Sequence, residues 1–214
     1  MLQGQQGVVM RLYRIPFSTN VERVALALGH KGLEAEPVDV DPADRSPIVA
    51  ASGQSLVPVL EDDGRVVSDS THILEYLEER YPDPPLYPRD SARRAECVVF
   101  VDWFNRVWKA PPNAIADALA GLNPDRTRIA ELGAEMAASL EIFEGMLTGR
   151  EYLLGEFSAA DCAAFPFLKY ALLHHPEDEE LFHRVLVENL PLGVTHPQIG
   201  AWIRRMDERP RAPA

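Results

Sequence analysis

A small α/β layer followed by an all-helical domain is the fold class this sequence predicts, and three observations carry the prediction. Between residues 11 and 81 the pattern runs strand, helix, strand, then a hairpin and a second helix. Pro82, Pro84, Pro85 and Pro88 then fall within seven residues and mark a boundary. From Ser91 onward the apolar residues recur at helical spacing, and no stretch alternates as a strand does. The domains drawn this way are residues 9–82 and 91–214, with 83–90 as the linker.

Residues 1–9 read as a tail leading into the first strand, with Met10 available as an alternative start. After that strand, Val21, Val24, Ala25 and Leu28 fall at i, i+3, i+4 and i+7, one face of a helix. Phe17-Ser18-Thr19-Asn20 precedes them as a polar N-cap cluster. A hydroxyl is thereby held beside free backbone amides and the positive end of the helix dipole, a place that favours an anion. Gly29 and Gly32 supply the stop. Val38 and Val40 alternate with Pro37 and Asp39, and the proline predicts an edge strand because it cannot donate to a central ladder. Residues 41–55 are turn-rich, with one helical turn. The runs 56–60 and 65–68 flank Glu61-Asp62-Asp63-Gly64, a hairpin signal. Asp69-Ser70 then caps a helix whose Ile73, Leu74, Leu77 and Tyr81 share a face.

In the second half, Phe100, Trp103, Phe104 and Val107 form one helical stripe opposite Asp102, Asn105, Arg106 and Lys109. Pro111-Pro112 breaks or kinks that helix. Ile129, Leu132, Met136, Leu140, Phe143 and Leu147 carry a second long helix. Ser158 and Asp161 have capping-box spacing before an apolar run. Leu181, Phe182, Val185 and Leu186 mark another helix, and Ile199, Trp202, Ile203 and Met206 the last. His174, His175 and His183 beside Glu177–Glu180 fit no standard metal spacing and read as a solvated acidic helix start, so no metal is predicted.

Composition narrows the function. The 214 residues carry a net charge of −12, which argues against a sequence-independent grip on nucleic acid or an anionic membrane. No signal peptide is legible, and the most apolar stretch, 159–173, is interrupted by Asp161, Pro166 and Lys169, so a cytoplasmic chain is expected. The two cysteines, Cys97 and Cys162, read as buried free thiols.

With those residues in view, the chain resembles the glutathione S-transferase family over nearly its whole length. Four features carry the resemblance. Ser18-Thr19-Asn20 with Arg23 is similar to the serine-type loop of the phi, tau and theta classes; Val57-Pro58 stands where the family has a cis-proline before a hairpin. Asp69-Ser70 replaces the family's Glu/Asp-Ser pair, and Ser158 to Asp161 forms the capping box deep in the second domain. The resemblance implies a thioredoxin-like N-terminal domain and an all-α C-terminal bundle. It further implies glutathione as co-substrate, a homodimer, and a small apolar electrophile bound at the domain cleft.

Roles follow residue by residue. Ser18 would donate a hydrogen bond to the glutathione thiolate, with Thr19 and Asn20 as neighbouring alternatives and a plain N-cap as the reading from local sequence alone. Lowering a thiol from near 8.5 to about 6.5 needs roughly 2.7 kcal/mol, and a charge-assisted hydrogen bond supplies about 1.5–3 kcal/mol. Val57-Pro58 would present backbone groups to the cysteinyl part, Leu56 lying just before them. Asp69, Ser70 and the helix N-terminus would receive the γ-glutamyl end, and Arg45 the glycine carboxylate. Phe17, Phe100, Trp103, Phe104 and Trp108 are the candidates for the electrophile pocket.

Two departures from the family pattern keep alternatives open. Leu56 stands where many relatives carry a polar or cationic residue, and no lysine follows the second strand. A different low-molecular-weight thiol, or a non-catalytic binding protein on the same scaffold, are the rival expectations. The loop has no cysteine at Phe17, Ser18 or Thr19, which argues against disulfide chemistry.

Overall fold

A computed structural model describes residues 10–213; the tail over residues 1–9 and the first residue of the 9–82 domain lie outside the described residues. The chain divides into two compact units, one running to Pro85 and joined by the residues from Arg209 on, the other Leu86–Glu208.

The first unit is a four-stranded sheet in the order β2-β1-β3-β4. Strand β1, Arg11–Arg14, is parallel to β2, Glu36–Asp39, and antiparallel to β3, Val59–Asp62. Pro37 thus sits on an edge strand, as its missing N–H requires. The hairpin to β4, Arg65–Ser68, turns on Asp63 and Gly64 alone, at φ 51° and 75°. Two positive φ values match the twist of the flanking strands, so Glu61 and Asp62 remain in the ladder rather than in the turn. The strand also starts later than the 56–60 run suggests. Leu56 has its backbone groups bonded elsewhere and Pro58 has no N–H to give, so pairing begins at Val59.

Helix α1, Thr19–Lys31, is buried nearly all round rather than on one face, and Gly32 closes it at φ 63°. Helix α2, Ser46–Ser52, gives two turns where the sequence suggested one, with Pro47 in its first turn. Helix α3, Ser70–Arg80, packs on α1. Lys31 ties their ends together: its buried Nζ lies 3.2 Å from Glu78 Oε2 and donates to the carbonyls of Tyr81 (2.6 Å) and Pro84 (2.9 Å). Buried Asp62 accepts from the Tyr76 and Tyr81 hydroxyls at 2.7 and 2.8 Å. Burial, reinforced by that carboxylate, pushes the Tyr76 phenol up to about 12.

The chain end returns to this unit, a feature the sequence does not signal. Ala212 N–H donates to Ala25 O at 3.0 Å, and Arg211 pairs with Glu22 at 3.2 Å. Arg209 lies 3.0 Å from His30 Nδ1, whose Nε2 is 3.1 Å from Pro85 O. A guanidinium only donates and a carbonyl only accepts, which fixes a neutral imidazole protonated at Nε2. Burial lowers the His30 pKa in the same direction.

In the second unit, α4, Ser91–Trp103, runs into a π-helical turn, Phe104–Trp108, and then α5, Ala110–Ala120. Pro111 and Pro112 fall in the first turn of α5, where a missing N–H costs little, so the prolines start a helix rather than merely ending one. Helix α6, Arg126–Leu147, is followed by α7, Ala159–Leu168, α8, Leu181–Asn189, and α9, Pro197–Asp207. Every residue of α7 is buried. Its capping box is complete: Ser158 Oγ accepts from Ala160 N, and Asp161 Oδ2 accepts from Ser158 N at 3.0 Å. Asp161 also receives Leu153 N–H at 3.0 Å and Trp202 Nε1–H at 2.9 Å, so one carboxylate joins three segments.

Candidate functional site

Ser18 is the N-cap of α1. Its Oγ lies 3.4 Å from Val21 N, and its carbonyl accepts Glu22 N–H at 3.0 Å. The side chain is half-buried, and its hydroxyl proton has no acceptor among the described residues. Phe17 turns the chain into this position at φ 62° and stays 41% exposed. Of the two neighbouring candidates, Thr19 is buried and Asn20 half-buried.

The Val57-Pro58 peptide is cis. Val57 packs its side chain against Val40, Ile48 and Val59, while its N–H and C=O have no hydrogen-bond partner among the described residues. Leu56 is 67% exposed, and the Gln54 amide brackets its backbone, accepting its N–H at 2.5 Å and donating to its C=O at 2.8 Å. Arg45 donates from Nε to Pro42 O at 3.3 Å and from Nη1 to Ser55 O at 3.1 Å, fastening the loop that contains α2.

Asp69 caps α3, accepting from Thr71 N at 2.8 Å and His72 N at 3.3 Å. It does so at φ 73°, ψ 128°, a sparsely populated conformation for a non-glycine residue that costs of order 1–3 kcal/mol. Ser70 is buried, and Arg23 Nη1 donates to its Oγ at 3.4 Å. Arg23 is itself 2% exposed. The periodicity of α1 placed it off the apolar face; only its part in the serine-type loop singled it out.

The aromatic candidates of the second unit divide between core and surface. Phe104 is fully buried, stacked on Trp108 at 4.5 Å and met edge-on by Phe143 and Phe167. Half-buried Trp103 lines two grooves with Ile142. One, of about 400 Å³, also meets Trp108, Val107 and Met136. The other, of about 380 Å³, meets Phe100 and Val99.

The histidine segment corrects a sequence expectation. His183 and Asp178 are buried rather than solvated: His183 Nδ1 lies 2.8 Å from Asp178, which also accepts the Tyr170 hydroxyl at 2.7 Å. Burial disfavours the Asp178 carboxylate, but those two bonds, together with the nearby His183 ring and the Glu180 N–H, outweigh it and hold its pKa below the usual value. Cys97 and Cys162 are buried free thiols, and burial pushes Cys97 up to about 11, far from a reactive thiolate. Among the described residues no helix is long and apolar enough to cross a membrane.

Residues 12–85 match the family model for the glutathione S-transferase N-terminal domain, and residues 112–210 match the model for its C-terminal domain. A glutathione S-transferase 3 from Zea mays is 31% identical over 163 residues, covering 71% of this chain and 73% of that protein. The chain belongs to the glutathione S-transferase family. Among further members, glutathione S-transferase Z1 of Arabidopsis thaliana is 40% identical over 90 residues, a stretch covering 40% of this chain and less than half (41%) of that relative. The fold itself is shared with the β-etherase LigF of Sphingobium sp. strain SYK-6, at a TM-score of 0.79 and 23% identity over 94% of this chain and 96% of that one. The thioredoxin-like layer with an all-helical second domain is therefore the family architecture.

Proposed function

We propose that this protein is a glutathione transferase that activates a glutathione-type thiol at Ser18 and conjugates it to small apolar electrophiles. One observation carries the reading: the Ser18 oxygen is held by Val21 N–H at the first turn of α1, while its proton has no protein acceptor among the described residues. A donor so placed stabilises a thiolate without any general base, with the helix dipole acting in the same sense.

The rest of the tripeptide has matching partners. Val57 offers to the cysteinyl backbone an N–H and a C=O that have no partner among the described residues. Asp69 carries the charge for the γ-glutamyl ammonium, and the α3 N-terminus with Ser70 suits its carboxylate. Arg45 is the basic residue of the 41–58 loop for the glycine end. Phe17, next to Ser18 and 41% exposed, supplies apolar surface for the electrophile. In the conjugation of an aryl halide, the thiolate sulfur bonds to the carbon that bears the halogen. The carbon–halogen bond breaks, halide leaves with its electron pair, and the thiol proton has already passed to solvent. Addition to an activated alkene, peroxide reduction and isomerisation would use the same thiolate. A homodimer belongs to this reading and is checked by light scattering.

The test is Ser18→Ala with glutathione and a generic aryl halide. Turnover is expected to fall roughly 10- to 100-fold, the equivalent of one charge-assisted hydrogen bond, with the fold intact. Unchanged turnover would remove Ser18 from the mechanism. A second reading, a binding protein on this scaffold, is favoured by the engagement of Ser18 as an N-cap. Retention on immobilised glutathione without turnover of any electrophile would support it.

A further inference from the structure

The end of the site that receives the last residue of the thiol is built unlike the rest of it. Strand β4 stops at Ser68, opposite Val59, and the chain then turns away into α3. A ligand backbone that pairs with Val57 occupies the place where β4 would have continued, beside β3. With its γ-glutamyl group at the α3 N-terminus, next to the end of β4, such a ligand runs antiparallel to β3. Its residue after the cysteine then falls opposite the residue before Val57, which is Leu56.

Leu56 offers that residue little. Its side chain is 67% exposed, and the Gln54 amide already holds both of its backbone groups, so neither is free to bond a ligand. Arg45 is the sole basic residue of the 41–58 loop, against Asp41 and Asp44. Its guanidinium is already turned to the carbonyls of Pro42 and Ser55. A carboxylate laid here would exchange water for an isobutyl group and share a cation that is holding a loop. The net charge of −12 adds no long-range attraction for an anionic ligand.

We propose that the site takes γ-glutamylcysteinyl thiols whose last residue is uncharged at least as well as glutathione itself, with Leu56 as the specificity-determining residue. This rests on the transferase reading above and deepens it by naming the thiol class. The ligand chemistry recognised is a γ-glutamyl group, a cysteinyl thiol, and a neutral or apolar C-terminal group that packs on Leu56.

The experiment compares glutathione with its glycyl monoethyl ester as the thiol substrate, using one aryl halide and the full-length protein. The same pair is titrated calorimetrically as a readout independent of turnover. The KM and Kd of the ester are expected to equal those of glutathione within about twofold, or to be lower. In Leu56→Lys, whose exposed position tolerates the change, glutathione should bind at least about fivefold more tightly while the ester gains nothing or binds more weakly. Glutathione preferred over its ester by tenfold or more in the unaltered protein would overturn the proposal and leave the transferase reading standing. Failure of both thiols to bind or react at millimolar concentration would overturn that reading and this proposal together.

Discussion

Two serines in this chain begin helices in the same way and end in opposite circumstances. Ser18 caps α1 through Val21 N–H at 3.4 Å, and Ser158 caps α7 through Ala160 N–H at 3.3 Å. Ser158 is buried and its hydroxyl also donates to Asp161 Oδ2 at 3.3 Å; Ser18 is half-buried and has no such acceptor among the described residues. A complete capping box is a closed structural device. An incomplete one leaves a donor that a ligand can use. The difference lies in the third residue of each helix, Asp161 in α7 against Val21 in α1.

That contrast can be broken most forcefully at the closed end. Asp161→Ala would orphan the Leu153 and Ser158 amides and the Trp202 indole N–H inside the protein. At about 1–3 kcal/mol for each buried unsatisfied donor, a loss of about 4 kcal/mol or more is expected in urea unfolding. A loss under 1 kcal/mol would mean that the junction is not what holds α7.

The next effect is a pH dependence. Burial raises the Asp161 carboxyl from 3.8 to about 6, against the pull of its four hydrogen bonds. Across that window the folded state keeps a proton that the unfolded chain has released. The contribution of Asp161 is therefore fully present below pH 3.8 and is lost as pH rises through 6, by roughly 3 kcal/mol. Unfolding free energies of the unaltered protein and Asp161→Asn, compared from pH 4 to 7, isolate it: the difference should change with that slope.

Smaller still are the two serine truncations. Ser158→Ala is expected to cost about 1–2 kcal/mol, because it removes both a cap and a partner of a buried carboxylate. Ser18→Ala should cost no more than about 1 kcal/mol, the ordinary value for an N-cap. Equal costs would erase the distinction between a closed and an open cap.

The same contrast bears on what a sequence reveals. Both caps were legible, since each needs only a hydroxyl ahead of an apolar-periodic run. The edge placement of Pro37 and the hairpin around Gly64 were legible for the same local reason. The burial of Arg23 and its bond to Ser70, 47 residues away, were not, because α1 is covered on several sides and periodicity reports only one. Helix α5 was hidden by Pro111-Pro112, which read as a break until they are seen in a first turn. The return of Ala212 to Ala25 depends on where the last helix ends in space, which no local pattern encodes.

The most direct measurement is the pKa of the thiol of bound glutathione, followed by thiolate absorbance, in the unaltered protein and in Ser18→Ala. An open cap that donates to sulfur predicts a bound thiol below pH 7 that climbs back toward the free value near 8.5 when the hydroxyl is removed. The same pKa in both proteins would contradict it.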